Sequence, residues 1–257
     1  MIKLTLGYST LASRVESIVE PPVHDNWESV LIVQNPSGEA WESNRSKQLA
    51  SRADTSFEIL QSKGVAKSRN RAIWLARGEY LVFSDDDITF SESGLETALE
   101  FLDQHPAYSL LLAQAVDETG ALRKRYPSGV AELNSFNSAR AATYEMIIRV
   151  DAVRRLGVVF DEQFGAGAEN YLGDEYIFIV DLMRAGGRCV FAPITIATHP
   201  TESSGSRWGS DRDRVARAKI FTRVFGVWAP FVRLPFGIRR LKELGGLGNL
   251  LKFVFAK

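Results

Sequence analysis

Short apolar runs alternate along the chain with amphipathic or polar stretches. Ile2-Lys-Leu-Thr-Leu6 alternates and ends at Gly7, which predicts a first strand and a turn. Leu11, Val15, Ile18 and Val19 recur at helical spacing until Pro21-Pro22 stops them. Residues 30–33, 57–60 and 80–83 are apolar runs of strand length. Between them lie a weakly patterned polar stretch, 41–52, and a predicted helix, 64–77. This β-α-β-α-β-α-β order predicts parallel strands with right-handed crossovers. The second half reads as helix 95–104, strand 108–116, strand 144–149, short helix 151–156 and helix 173–185. Short strands 189–191 and 194–196 follow. Residues 122–137 yield no clear element, and 160–172 read as a Gly-rich loop.

The run Tyr80–Phe83 leads into Asp85-Asp86-Asp87, with no basic residue beside them. Adjacent carboxylates repel one another, and a hard divalent cation such as Mg²⁺ or Mn²⁺ removes that repulsion. Ligands of open α/β sheets bind beyond the carboxyl ends of the strands, where this triplet is expected. A solvated acidic turn or an acidic helix start is the plain alternative. Upstream, Lys63 to Ala72 sits between a strand and a helix. Gly64 allows close backbone approach there, and a helix N-terminus attracts phosphate. Lys67, Arg69 and Arg71 add positive charge, although a basic solvated helix face would look the same.

Composition adds bounds. At 257 residues, 45% hydrophobic and 24% charged, the chain suits one large soluble domain or a domain with an extension. The one cysteine, Cys189, excludes an internal disulfide and points to a reducing compartment. The N-terminus lacks a signal-peptide pattern, and no window offers eighteen uninterrupted apolar residues. The zero net charge hides an asymmetry. From residue 207 onward there are 12 basic and 3 acidic residues, against 19 and 28 before it. Val215, Ala218, Phe221, Val224 and Phe225 share a helical face there, and residues 228–236 are aromatic and apolar. Such a tail suits the interface of an anionic membrane. A helical cap on the preceding domain, or a dimer contact, is the alternative. No nucleic-acid motif accompanies the charge.

Gly64-x-x-x-Ser68-Arg69-Asn70 followed by Tyr80-Leu-Val-Phe-x-Asp85-x-Asp87 resembles the donor half of a family 2 glycosyltransferase. The resemblance covers roughly residues 1–200. It implies an α/β fold, a GT-A-like, Rossmann-like mixed β-sheet flanked by helices, with a C-terminal helical extension. The implied division is 1–206 for the glycosyltransferase domain and 207–257 for the extension. Within the domain, about 1–115 would bind the nucleotide sugar and 116–206 the acceptor. Thr5 to Ser9 occupies the place of the family segment bordering the nucleotide, so Tyr8 and Ser9 are expected at the donor. Gln34 and Asn35 stand where the family carries two acids, one of which often meets the donor base; amides can also bind there. Gly64, Lys67, Arg69, Asp85 and Asp86 complete the expected donor side. Asp87, with Asp85, would hold Mn²⁺ or Mg²⁺.

Phe160-Asp-Glu162, Phe164 to Ala168 and Asp174-Glu175 resemble the family's acceptor side, with its Glu-Asp pair inverted. The family's base is usually the second acid, which implies Glu175; Asp174 is the alternative, or the helix cap. His199 corresponds to a histidine that some members use as a metal or diphosphate ligand, while a structural role is equally open. His24 and His105 have no supporting neighbours in sequence and receive no role. The implied activity is inverting, metal-dependent transfer from a nucleotide sugar to a hydroxyl of a glycan or lipid-linked glycan. The implied setting is bacterial-type surface polysaccharide synthesis, cytoplasmic and peripheral on the inner face of a membrane. An oligomer is compatible with all of this. A nucleotidyltransferase would want a Gly-rich basic loop after the first strand, of which residues 7–14 are a poor version. A catalytically silent scaffold of a polysaccharide assembly complex is the alternative outside enzymes.

Overall fold

The structure is a computed structural model that describes residues 1–200 and 210–256. Its centre is a nine-stranded mixed sheet. Strands β1 (Leu4–Leu11), β2 (Trp27–Gln34), β3 (Thr55–Leu60) and β4 (Tyr80–Asp85) lie in the order β3-β2-β1-β4 and pair in parallel. A 3₁₀ turn (Ala12–Ser17), helix α1 (Asn44–Ala50) and helix α2 (Val65–Leu75) lie on the crossovers. The helix expected over 11–20 is thus a short turn. The weak pattern over 41–52 is helical because Ser43 and Ser46 close a reciprocal capping box.

The second half adds β5 (Thr89–Phe90), α3 (Glu92–Gln104), β6 (Tyr108–Val116), β7 (Ala131–Glu132), β8 (Met146–Arg149), α4 (Val150–Leu156), α5 (Asp174–Arg184) and β9 (Arg188–Thr198). Strand β8 runs antiparallel between β4 and β6, and β9 runs parallel to β6. Both β5 and β7 pair antiparallel with β9. The two short strands expected over 189–196 are one strand. Pro193 is accommodated because the β6–β9 register shifts beside it. The apolar sides of the sheet are separate cores. Leu6, Val82 and Leu99 lie in one, and Leu81, Phe83 and Phe178 in the other.

Among the described residues, the α-helices that follow are α6 (Asp211–Phe225), α7 (Ala229–Arg239), α8 (Leu241–Leu244) and α9 (Leu247–Val254). The expected start of the extension at 207 lies outside the described residues. Helix α6 packs Ile220 and Val224 onto Tyr176, Ile177 and Val180 of α5. Arg223 pairs with Asp161 and Asp181, and Lys219 with Glu169. Part of the tail's positive charge therefore meets acids of the preceding chain. Buried Arg233 of α7 donates to the carbonyls of Ala218, Val254 and Ala256, which ties α6, α7 and α9 together. No described helix is long and apolar enough to cross a membrane.

Candidate active site

The sheet order reverses between β1 and β4, the place where open α/β sheets form ligand crevices. There Ser9 of β1 lies level with Asp85 at the end of β4. Strand β5 then pairs Thr89 with Thr198, so the end of β9 is drawn to the acidic loop. This pairing brings His199 within reach of Asp87, 112 residues away in sequence: Nε2 lies 3.9 Å from Oδ1. His199 is buried, its ring stacks on Tyr144 at 4.9 Å, and its Nδ1 is 2.6 Å from the Pro200 carbonyl oxygen. A ring that donates from Nδ1 keeps the Nε2 lone pair for a ligand. Asp87 Oδ1 is itself buried without a hydrogen-bond partner. Two electron-pair donors thus face each other across a gap too long for a hydrogen bond. That arrangement fits a divalent cation.

The structure supplies the basic partners that the triplet lacks in sequence. Arg69 of α2 is buried and donates to Asp174 and, at 3.2 Å, to Asp85. Burial alone would lower the pKa of Arg69, but Asp174, Asp85 and Glu175 together raise it. Arg14, on the turn after β1, lies 2.5 Å from Asp86 Oδ1 and 3.7 Å from Asp87 Oδ2.

The first turn of α5 carries the acid pair. Asp174 is buried against Arg69. Gly165, at φ 94°, makes room for it, since a Cβ there would come within 2.7 Å of the Asp174 carboxyl group. Glu175 is half-buried and lacks that arginine contact. Burial, and then the charge of Asp174, hold its pKa well above the ordinary value of 4.5. The pair is therefore split: one acid is locked in an ion pair, and the other holds its proton more tightly than an ordinary carboxyl.

Several expected donor residues are placed otherwise. Tyr8 is a core residue, 1% exposed and edge-on to Phe90, so neither its ring nor its buried hydroxyl faces a ligand. Asp86 turns away from the site to accept from Thr10 at 2.8 Å and to pair with Arg14. Gln34 accepts from the Gly64 N–H at 2.7 Å, which leaves its amino group for a ligand. Asn35 spends both side-chain groups on Glu39 in its own turn. The α2 N-terminus is not an open phosphate site, because the Gly64 and Val65 N–H groups donate to Gln34 and to the Ala166 carbonyl. Lys67 is half-buried and makes no salt bridge among the described residues. Ser9 stays at the site, its Oγ buried without a partner.

Two further side chains carry no sequence signal. Tyr144 stacks on His199, and burial followed by Glu145 pushes its hydroxyl up to about 12, with Arg123 opposing. Arg123 reaches it from the hairpin after β6, which Glu145 anchors by accepting from Lys124 and Tyr126. The Arg123 Nε is buried without a partner. Only the folded chain brings these residues together; position 123 lies in the stretch whose pattern predicts no element. His24, unsupported in sequence, does gain acidic neighbours, Glu92 and Glu96 of α3, but both are exposed. A cleft of about 560 Å³ opens behind α2; of its polar lining, Asn70, Asp161, Asp181 and Arg223 bond to the protein, and Glu162 is exposed.

The fold and this crevice define a GT-A glycosyltransferase. Residues 7–154 match the description "Glycosyl transferase family 2", and the chain belongs to that family. The match includes Arg69 and Asp85 to Asp87 but ends before Asp174, Glu175 and His199. Among solved structures, the chain is similar to S. aureus TarS 1–349 in complex with UDP-GlcNAc. The TM-score is 0.66 at 14% identity, covering 98% of this chain and 82% of that one. The same TarS segment in complex with UDP gives a TM-score of 0.56 at 16% identity, covering 99% and 81%. Against S. aureus TarS itself the chain covers 50% of that chain, with a TM-score of 0.56 and 16% identity. A search of the curated proteins finds no match.

Proposed function

We propose that the protein transfers a sugar from a nucleotide sugar to a hydroxyl of a glycan or lipid-linked glycan, with inversion and with a divalent cation. The observation that carries this reading is the divided acid pair at the start of α5, beside the Asp85–Asp87 loop. Asp174 holds Arg69 against Asp85, which keeps a guanidinium where a diphosphate would gather charge. Arg123, with its unpartnered Nε, adds a second cation beside Tyr144 and His199. Preorganised positive charge of this kind is usually the largest catalytic contribution. Glu175 accepts the proton of the attacking acceptor hydroxyl, and one direct displacement inverts the anomeric centre. Asp87 and His199 would hold Mn²⁺, with Asp85 alongside; bound there, the ion supplies Lewis-acid stabilisation of the leaving diphosphate. The UDP and UDP-GlcNAc complexes of TarS support a uridine-type donor. Surface polysaccharide synthesis, peripheral on the inner face of a membrane, is the setting this reading gives the reaction.

The test is Glu175→Gln, which keeps shape but cannot take up the proton. It should lower kcat by roughly 10²–10⁴-fold with little change in donor affinity. Thermal stabilisation by UDP sugars with Mn²⁺ measures that affinity. A larger kcat loss in Asp174→Asn with donor affinity unchanged would move the base to Asp174. Full activity in both variants would overturn the acceptor-side reading.

A further inference from the structure

Helix α7 buries one face and exposes apolar side chains on another. Ala229, Arg233 and Gly237, at i, i+4 and i+8, face inward, with Gly237 close against Leu250 and Phe253 of α9. Phe231, Leu234 and Ile238 lie on the outer side with Trp228 just before them, and Phe231 is 70% exposed. Helix α9 repeats the arrangement. Leu250, Phe253 and Val254 are buried, while Leu247, Leu251 and Phe255 form an exposed stripe at i, i+4 and i+8. A scattered exposed apolar side chain needs no explanation, but two contacting short helices that each carry such a stripe do.

The charge around the stripes selects the occupant. Between residues 214 and 256 the one acidic residue is Glu243, which pairs with Arg240. Arg239, Lys242 and Lys252 are exposed and make no salt bridge among the described residues. Basic side chains beside exposed Trp, Phe and Leu are the composition of a helix lying in the headgroup region of an anionic bilayer. Dimerisation through this face would set like charges against each other. Helices of 11 and 8 residues are roughly 16 and 12 Å long, too short for a hydrocarbon core of about 30 Å. They would therefore lie in the interface.

We infer that the outer faces of α7 and α9 form an interfacial docking surface for an anionic lipid bilayer. Helix α6, by contrast, is the structural joint to the catalytic domain. The inference deepens the proposed function by naming the surface where a lipid-linked acceptor is met, and only that acceptor role rests on it. Lipid binding itself can succeed or fail independently.

The experiment uses the full chain with vesicles of phosphatidylcholine, with and without phosphatidylglycerol, read by co-sedimentation and by Trp fluorescence. Wild type should bind the phosphatidylglycerol vesicles, more weakly at high salt, and ignore neutral ones. Phe231→Ser with Ile238→Ser should weaken binding at least tenfold. Arg239→Gln, Lys242→Gln and Lys252→Gln together should weaken it more, at about fivefold per basic side chain near the surface. UDP binding and the melting temperature, read on the same variants, should match wild type, which separates failure here from failure of the glycosyltransferase reading. Two results overturn the inference: no vesicle binding at low salt, or binding unchanged in the Phe231 and Ile238 variant. A dimer by light scattering that the same variant dissolves, without vesicle binding, assigns the face to a second copy instead.

Discussion

At the scale of residues, the site is governed by how its charges are shared out. Glu175 bears the cost of burial beside Asp174, so its charged form is disfavoured in the fold. A carboxyl with a raised folded pKa binds its proton more tightly folded than unfolded, so stability falls as pH rises from about 4.5 through the folded value. Above that window Glu175→Gln should melt higher than wild type, and the difference should close below it. The acid limb of kcat should likewise lie above the ordinary carboxylate range and vanish in the variant. A melt lower than wild type at pH 8 would contradict this assignment. Arg14 makes a second case. It stands between Asp86 and Asp87 with half its side chain in solvent. If Asp87 holds a metal as proposed, a cation about 4 Å from it opposes a second cation by about 1 kcal/mol in high dielectric, so Arg14→Gln should bind Mn²⁺ roughly fivefold tighter. Titration read by the resonance of free Mn²⁺ measures it, and unchanged or weaker binding would rule out competition. Neither arginine pairing is visible along the chain. Asp85 to Asp87 look unpaired because Arg69 is 16 residues from Asp85 and Arg14 lies on a separate crossover. The acids themselves were legible, since a run of carboxylates after a buried strand is a local signal. Tyr8 is expected at the donor from its place in a resembling segment, and such a match does not tell which side of the strand a residue faces.

At the scale of elements, strands β1 to β4 and helix α2 could be read from apolar runs and turn residues, because a buried parallel strand is continuous in type. The insertion of β8 between β4 and β6, and the single strand β9, could not. Their pairing is set by partners far along the chain, and Pro193 reads locally as a break. The joint between α5 and α6 was also hidden. Gly173, just before α5, has φ 91°, and a Cβ there would strike the side chain of Ile220. Its positive φ and its close approach both require glycine. Gly173→Ala should therefore destabilise by about 2–4 kcal/mol, from left-handed strain together with overpacking. It should also lower kcat, because Asp174 and Glu175 begin the same helix. Adding Ile220→Ala should restore part of kcat by relieving the clash. A single variant that melts like wild type would show that α6 is not seated on this turn as described.

At the scale of the whole molecule, the tail has two jobs for its apolar and basic residues. Helical spacing over 215–225 and the net positive charge could be read from sequence, but which residues face inward could not. The structure divides them. Ile220, Val224, Lys219 and Arg223 are used on the catalytic domain, whereas Phe231, Ile238, Leu251 and Phe255 remain outside. Removal of 210–257 should then do more than abolish lipid binding. It would bare Tyr176, Ile177 and Val180, the apolar face of the helix that carries Glu175. It would also leave Asp161 and Asp181 without Arg223. Large contiguous apolar exposure of this kind leads to aggregation or dye binding. The truncated chain should therefore melt well below wild type, bind an apolar dye and lose donor binding with it. The exposed pair of substitutions, Phe231→Ser with Ile238→Ser, should stay within about 0.5 kcal/mol of wild type in stability, as surface changes usually do. Melting curves with and without UDP and Mn²⁺ compare the two. If the truncated chain melts like the full one and still binds UDP, then α6 is an appendage, and its packing on α5 contributes little to holding Asp174 and Glu175.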